Sequence, residues 1–94
     1  MSRLILKVAL LDDFQNVTFM DIIVNEHNFE RVRKKIESEL LKIKKVLNQY
    51  KKDGLIKSIS RPKNKKIAEK LKQINCARKD LKEARRKIIQ IFYK

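Results

Sequence analysis

Two long stretches of this chain repeat apolar residues every three or four positions. The only glycine and the only proline, Gly54 and Pro62, stand between them. That pattern allows few tight turns and favours long regular elements. In the first stretch Phe29, Val32, Ile36, Leu40, Ile43, Leu47 and Tyr50 form one stripe. The spacing predicts an amphipathic helix over residues 26–52, about seven turns long. Asn25 or Asn28 can cap its start, and Gly54 just beyond Asp53 suits its end. In the second stretch the stripe is Ile67, Leu71, Ile74, Ala77, Leu81, Ala84, Ile88 and Ile91 or Phe92. It predicts a helix over residues 64–93, with Asn64 as its cap. Ala77 and Ala84 within the stripe let a neighbouring helix approach closely.

Ahead of the helices, residues 3–11 and 17–24 are rich in Leu, Ile, Val and Phe, and Asp12-Asp13-Phe14-Gln15-Asn16 separates them. This reads as two short antiparallel strands joined by a polar loop. A helix competes, because Leu4, Val8 and Leu11 also fit helical spacing and Ser2 can cap it. The expected fold is therefore α+β: an N-terminal β-hairpin, then two long antiparallel helices, with an all-α fold as the alternative. Residues 55–63 interrupt the helical pattern and offer a short third strand, and Pro62 disfavours a helical Arg61.

Ninety-four residues make one domain, spanning 1–94. Hydrophobic residues reach 43%, enough to fold although 38% of the chain is charged. A core this small makes a homodimer a natural expectation. Cys76 is the single cysteine, which excludes an intrachain disulfide and a cysteine metal cluster and points to a reducing, cytoplasmic setting. The apolar run Leu4–Leu11 contains Lys7, is followed directly by two aspartates and lacks a small-residue cleavage site, so it does not read as a signal peptide. No run approaches a membrane span. Abundant Ile, Lys and Asn with no Trp suggest an AT-rich genome, such as that of a virus or mobile element.

The charge is lopsided. The chain holds 25 Lys and Arg against 11 Asp and Glu, a net +14. Residues 1–25 contain Arg3 and Lys7 against Asp12, Asp13 and Asp21, a net −1 that leaves +15 in residues 26–94. Such a surplus repels itself unless a polyanion cancels it. Nucleic acid, DNA or RNA, is the expected partner, because each neutralised phosphate releases a counterion. Lys72, Lys79, Lys82 and Arg86 share one face of the second helix, over about 21 Å. Arg31, Lys34, Lys42, Lys45 and Lys52 lie opposite the apolar stripe of the first helix. Arg61, Lys63, Lys65 and Lys66 add a basic connection. An ordinary solvated face would mix signs, and Glu30 with Lys34 and Glu83 with Lys87 are (i, i+4) pairs. Yet residues 26–52 hold four acids against nine bases, and residues 67–94 three against nine. Lysine outnumbers arginine, which favours phosphate contact over the bidentate reading of bases. Aromatic residues are scattered, which argues against a stacking platform for single strands.

Other chemistry finds little support. Asp12, Asp13 and Asp21 could hold a divalent metal for phosphodiester cleavage, but they read more simply as a polar loop and one exposed strand position. His27 has no nucleophile beside it in sequence, and Cys76 lies off the apolar stripe near Arg78 and Lys79 with no base partner. One glycine rules out a glycine-rich phosphate loop. No enzyme activity, cofactor, metal or membrane association is expected.

The passage Leu40–Leu47, followed by Tyr50-Lys51-Lys52-Asp53-Gly54-Leu55-Ile56-Lys57-Ser58-Ile59, resembles the helix-to-wing segment of winged-helix proteins. It covers about a fifth of the chain. The resemblance implies that a strand follows Gly54. The preceding helices of a winged helix are not evident, and no family is assigned. The leading expectation is a small basic protein that grips phosphates through lysine-rich helix faces. The alternative is an interaction module or inhibitor, such as a viral factor, that docks on an acidic protein with its apolar C-terminal helix as anchor.

Overall fold

The computed structural model describes residues 3–54 and 65–93. Strand β1 (Arg3–Leu11) pairs antiparallel with β2 (Val17–Asn25), and helices α1 (Phe29–Lys52) and α2 (Lys65–Phe92) follow. The class is α+β, and the all-helical alternative falls away. The expected third strand within residues 55–63, and with it the strand of the winged-helix-like passage, lies outside the described residues. A hairpin precedes α1, where a winged helix would carry further helices.

The hairpin register runs unbroken from Arg3 opposite Asn25 to Leu11 opposite Val17. Its loop is organised by Asp12. The Asp12 Oδ1 atom accepts the Phe14 amide at 2.8 Å and the Asn16 amide at 2.9 Å. Gln15 takes a positive φ of 61°, and its amide donates to the Asp12 carbonyl. A carboxylate holding two turn amides is a structural group of the loop. Asp21 sits opposite Lys7 in the ladder, apart from the loop aspartates.

The start of α1 departs from expectation. Helix begins at Phe29, not at residue 26. Asn28 occupies the cap position, but its side chain makes no cap hydrogen bond. Its Oδ1 accepts the Asn25 amide at 2.8 Å, and its Nδ2 donates to the Ile23 carbonyl at 2.9 Å. Asn25 Oδ1 in turn accepts the amides of His27 and Asn28. These two asparagines spend their polar groups on the turn that leaves β2, so they do not serve the helix. The other end follows expectation. Gly54 takes φ 72°, a left-handed conformation that costs glycine little, and its amide donates to the Lys51 carbonyl. The candidate cap Asn64 lies outside the described residues.

The two helices are antiparallel. Phe29 stacks on Phe92 with ring centroids 5.0 Å apart, and Arg85 pairs with Glu37 further along. Val32, Ile36, Ile43, Leu47 and Tyr50 of α1 are buried, as are Leu71, Ile74, Ala77, Leu81, Ala84 and Ile88 of α2. They meet Leu6, Val8, Ala9, Leu11 and Val24 of the hairpin in one core. Within the apolar C-terminal end of α2, Ile88 is buried and Phe92 packs on Phe29 of α1, while Ile89 stays exposed. Tyr93 packs edge-on to Phe29 at 5.1 Å and accepts a hydrogen bond from Arg33 Nε at 2.8 Å. That bond also raises the guanidinium pKa of Arg33. Among the described residues no helix is long and apolar enough to cross a membrane.

One polar side chain enters the core. Glu39 is 1% exposed, and its Oε1 accepts the Leu11 amide at 2.8 Å. The bond satisfies a backbone donor at the end of β1, beyond which the chain turns away. Lys42 Nζ lies 2.9 Å from Glu39 Oε2, which balances the buried charge. Glu39 thus ties the hairpin to α1. From the other side, Lys70 Nζ of α2 donates to the Phe14 carbonyl at 2.6 Å.

Candidate nucleic-acid interface

Placing two helices side by side leaves a groove along each flank of their seam. The hairpin fills one flank. The other is open, and Leu40, Lys44, Leu47 and Asn48 of α1 face Arg78, Lys82 and Arg85 of α2 across a hollow of about 410 Å³. No hairpin residue lines it. Arg78, Lys82 and Arg85 stand at i, i+4 and i+7, so one side of α2 presents all three. Lys44 faces them from α1. Leu40 and Leu47 supply an apolar floor, and the exposed Leu41 and Ile89 add further apolar surface on the two helices. The acid at this site is Glu37, which takes Arg85 Nη1 at 2.9 Å. That pair holds the guanidinium across the seam and leaves Lys44, Arg78 and Lys82 to set a positive potential.

The stripe expected on α2 divides. Lys82 turns into the groove. Lys79 is exposed on the crest of the helix. Lys72 lies toward the hairpin, in a hollow with Val17, Phe19, Gln73 and Cys76. Arg86 is held by Glu83 in a two-pronged ion pair, and its Nη1 also reaches Gln90 Oε1 at 3.3 Å. The Glu83 contact raises the Arg86 pKa, and the guanidinium lowers that of the Glu83 carboxyl. Arg86 is therefore a partnered cation.

On α1, Arg31, Lys34, Lys45 and Lys52 are exposed, as expected. Lys42 is exposed too, but Glu39 engages it and raises its pKa. Lys65 and Lys66 are exposed in the first turn of α2, which carries no acid. Arg61 and Lys63 lie outside the described residues. The structure thus collects Lys82 with three cations that sequence reasoning passed over: Lys44, Arg78 and Arg85. Their signal was their place on the border of the apolar stripe, where a long cationic side chain lies along a neighbouring helix and keeps its head in water.

The remaining reactive groups stay apart. Cys76 is exposed, and the His27 side chain is 85% exposed, with Glu26 at 3.6 Å. Among the described residues no three His, Cys, Asp or Glu side chains gather as metal ligands. Searches of family models, curated proteins and solved structures gave no match to this chain.

Proposed function

We propose that this chain binds nucleic acid through its phosphates, with the open groove between α1 and α2 as the principal contact and the lysines on the helix crests as outlying ones. The observation that carries this reading is the convergence of Lys44, Arg78, Lys82 and Arg85 from two helices on one groove. Scattered cations on solvated helices do not need to converge, whereas a polyanion rewards a continuous track. The net charge of +14 supports it. Lys79, Lys34, Lys45, Lys65 and Lys66 extend the positive surface beyond the groove. Three cations of the groove need no base partner to act, so the binding has little sequence preference. On this reading the protein is a binding module and not an enzyme.

A second reading rests on the groove floor. Leu40 and Leu47 between basic walls also suit an amphipathic acidic helix of another protein, laid along the seam. Phosphate backbones make no use of that apolar floor. Fluorescence anisotropy separates the readings. The titrations use duplex DNA, structured RNA and single strands at several salt concentrations. Nucleic-acid binding through about five phosphates gives a slope of log K against log salt near −4 to −5, much the same for every duplex sequence. No binding at low salt, or a flat salt response, sinks the nucleic-acid reading.

A further inference from the structure

The two strands of the hairpin are finished differently. β1 lies on the helices: Leu6, Val8, Ala9 and Leu11 are buried, and the Leu11 amide is taken by Glu39. β2 lies outside. Val24 is its one fully buried residue, and Thr18, Phe19, Met20 and Asp21 are exposed in succession. Among the described residues its only strand neighbour is β1. Among the described residues no strand meets the far-edge N–H and C=O groups of Val17, Phe19 and Asp21, while at the end of that edge Asn28 takes the Ile23 carbonyl and the Asn25 amide. Natural edges are blunted with lysine, proline or a bulge. β2 has no lysine, proline or bulge: its register with β1 is unbroken, and Asp21, opposite Lys7, is its one charged residue. It carries Phe19, Met20 and Ile23 instead, each 47% exposed. A sheet of two strands also gains stability from further strands.

We propose that β2 is a dimerisation strand, to which a second copy of this chain adds its own β2 antiparallel, making one four-stranded sheet. Charge selects the second copy as the occupant. Residues 3–25 carry Arg3 and Lys7 against three aspartates, while the surplus of cations lies in the rest of the chain. An acidic protein or a polyanion is drawn to the helices. Hairpin meeting hairpin is the approach that brings least like charge together between two strongly basic molecules. The contact is self-complementary, as a two-fold axis requires, because one strand serves as both donor and acceptor edge. Phe19, Met20 and Ile23 meet cross-strand neighbours from the partner copy. The open groove has no hairpin residue in its lining and stays clear of this contact, so a dimer offers two polyanion sites.

The test measures the mass of the full chain by light scattering and sedimentation, from about 1 to 100 µM protein, with no nucleic acid present. The expected mass is twice the 11.3 kDa of one chain at the upper concentrations. Association tightens as salt rises from about 0.1 to 0.5 M, because screening relieves the repulsion between copies. This trend is opposite in sign to polyanion binding. The double change Phe19→Lys and Ile23→Lys halves the mass and leaves the helical circular dichroism unchanged. Hydrogen exchange on the unaltered chain needs no variant: the amides of Phe19, Asp21 and Ile23, which point away from β1, become protected as concentration rises. The proposal is overturned by a single-chain mass at every concentration, or by a dimer that survives the double change. It is equally overturned if those amides are fully protected while the chain is monomeric, since another part of the same chain then covers the edge.

Discussion

The hairpin and the helix pair solve the same problem, covering one shared core, with opposite surfaces. The helices bury or half-bury their whole apolar stripe and carry the surplus of cations outward. The hairpin is nearly neutral and leaves Ile5, Phe14, Phe19, Met20 and Ile23 exposed. Each half therefore offers a different kind of surface: charge on the helices, and on the hairpin exposed apolar side chains beside a strand edge that no strand pairs among the described residues. The lesson is that the excess charge of this chain is not spread evenly around it. It lies outside the hairpin, whose residues 3–25 carry a net −1.

The comparison breaks most sharply at the core. Leu81 is 1% exposed at the seam of the helices, whereas Ile5 on the hairpin is 63% exposed. Leu81→Asp buries an unpaired carboxylate and costs several kcal/mol, enough to unfold a domain of this size (roughly 3–5 kcal/mol). Ile5→Asp stays within about 0.5 kcal/mol. Thermal melts followed by circular dichroism check both. Similar losses from the two would mean that the hairpin face is covered as well.

The next effect separates groove from crest. Changing Lys44, Arg78, Lys82 and Arg85 together to Gln removes four charges from the groove. Changing Lys34, Lys45, Lys72 and Lys79 removes four from the crests and the hairpin side. Gln keeps the helices, so both variants fold. The groove variant binds duplex nucleic acid about 100-fold or more weakly at moderate salt, and its salt slope shrinks by roughly one for each phosphate it no longer neutralises. The crest variant is weakened clearly less. Equal weakening would show that total charge, and not the groove, governs binding.

A smaller effect sits at the joint between the two halves. Glu39→Ala leaves the Leu11 amide without its acceptor and costs about 2 kcal/mol. Glu39→Gln keeps an oxygen for that amide, removes only the charge that Lys42 balances, and costs less. Chemical denaturation of the two variants checks the order. If Glu39→Gln is as damaging as Glu39→Ala, the charge on Glu39, and not merely an acceptor for the Leu11 amide, is what the joint requires.

The smallest effect is a pH response of the hairpin loop. Asp12 has its carboxyl pKa lowered below the ordinary 3.8, chiefly by its hydrogen bond from the Asn16 amide. A lowered folded pKa contributes stability above the unfolded value and loses it as pH falls through the folded one. The loop therefore stays ordered down to about pH 4 and loosens only in stronger acid. The amide resonances of Phe14 and Asn16 report this directly, and Asp12→Asn removes the titration. A change centred near neutral pH would mean that Asp12 is not the group that holds the loop.

Much of this is legible in the chain itself. The apolar stripes on both helices fall on the buried side at every expected position in the described residues, because a 3.6-residue repeat is a local property of sequence. The hairpin ends and Gly54 follow from turn chemistry for the same reason. The start of α1 falls later than the spacing predicts because Asn25 and Asn28 have two local uses, and the exit from β2 claims both. Glu39 gives no warning: it sits beside the stripe, and its partner amide is 28 positions away.

Sequence alone determined the net charge, its confinement to the helical part, and which side of each helix is apolar. Only tertiary structure decided which flank of that seam the hairpin fills, and hence that Lys44, Arg78, Lys82 and Arg85 meet in the open one. It alone decided that Glu39 reaches the Leu11 amide and that β1, not β2, lies on the core. The physical reason is range. Periodicity fixes the direction of a side chain relative to its own helix axis. Where two such directions converge depends on packing between elements far apart along the chain.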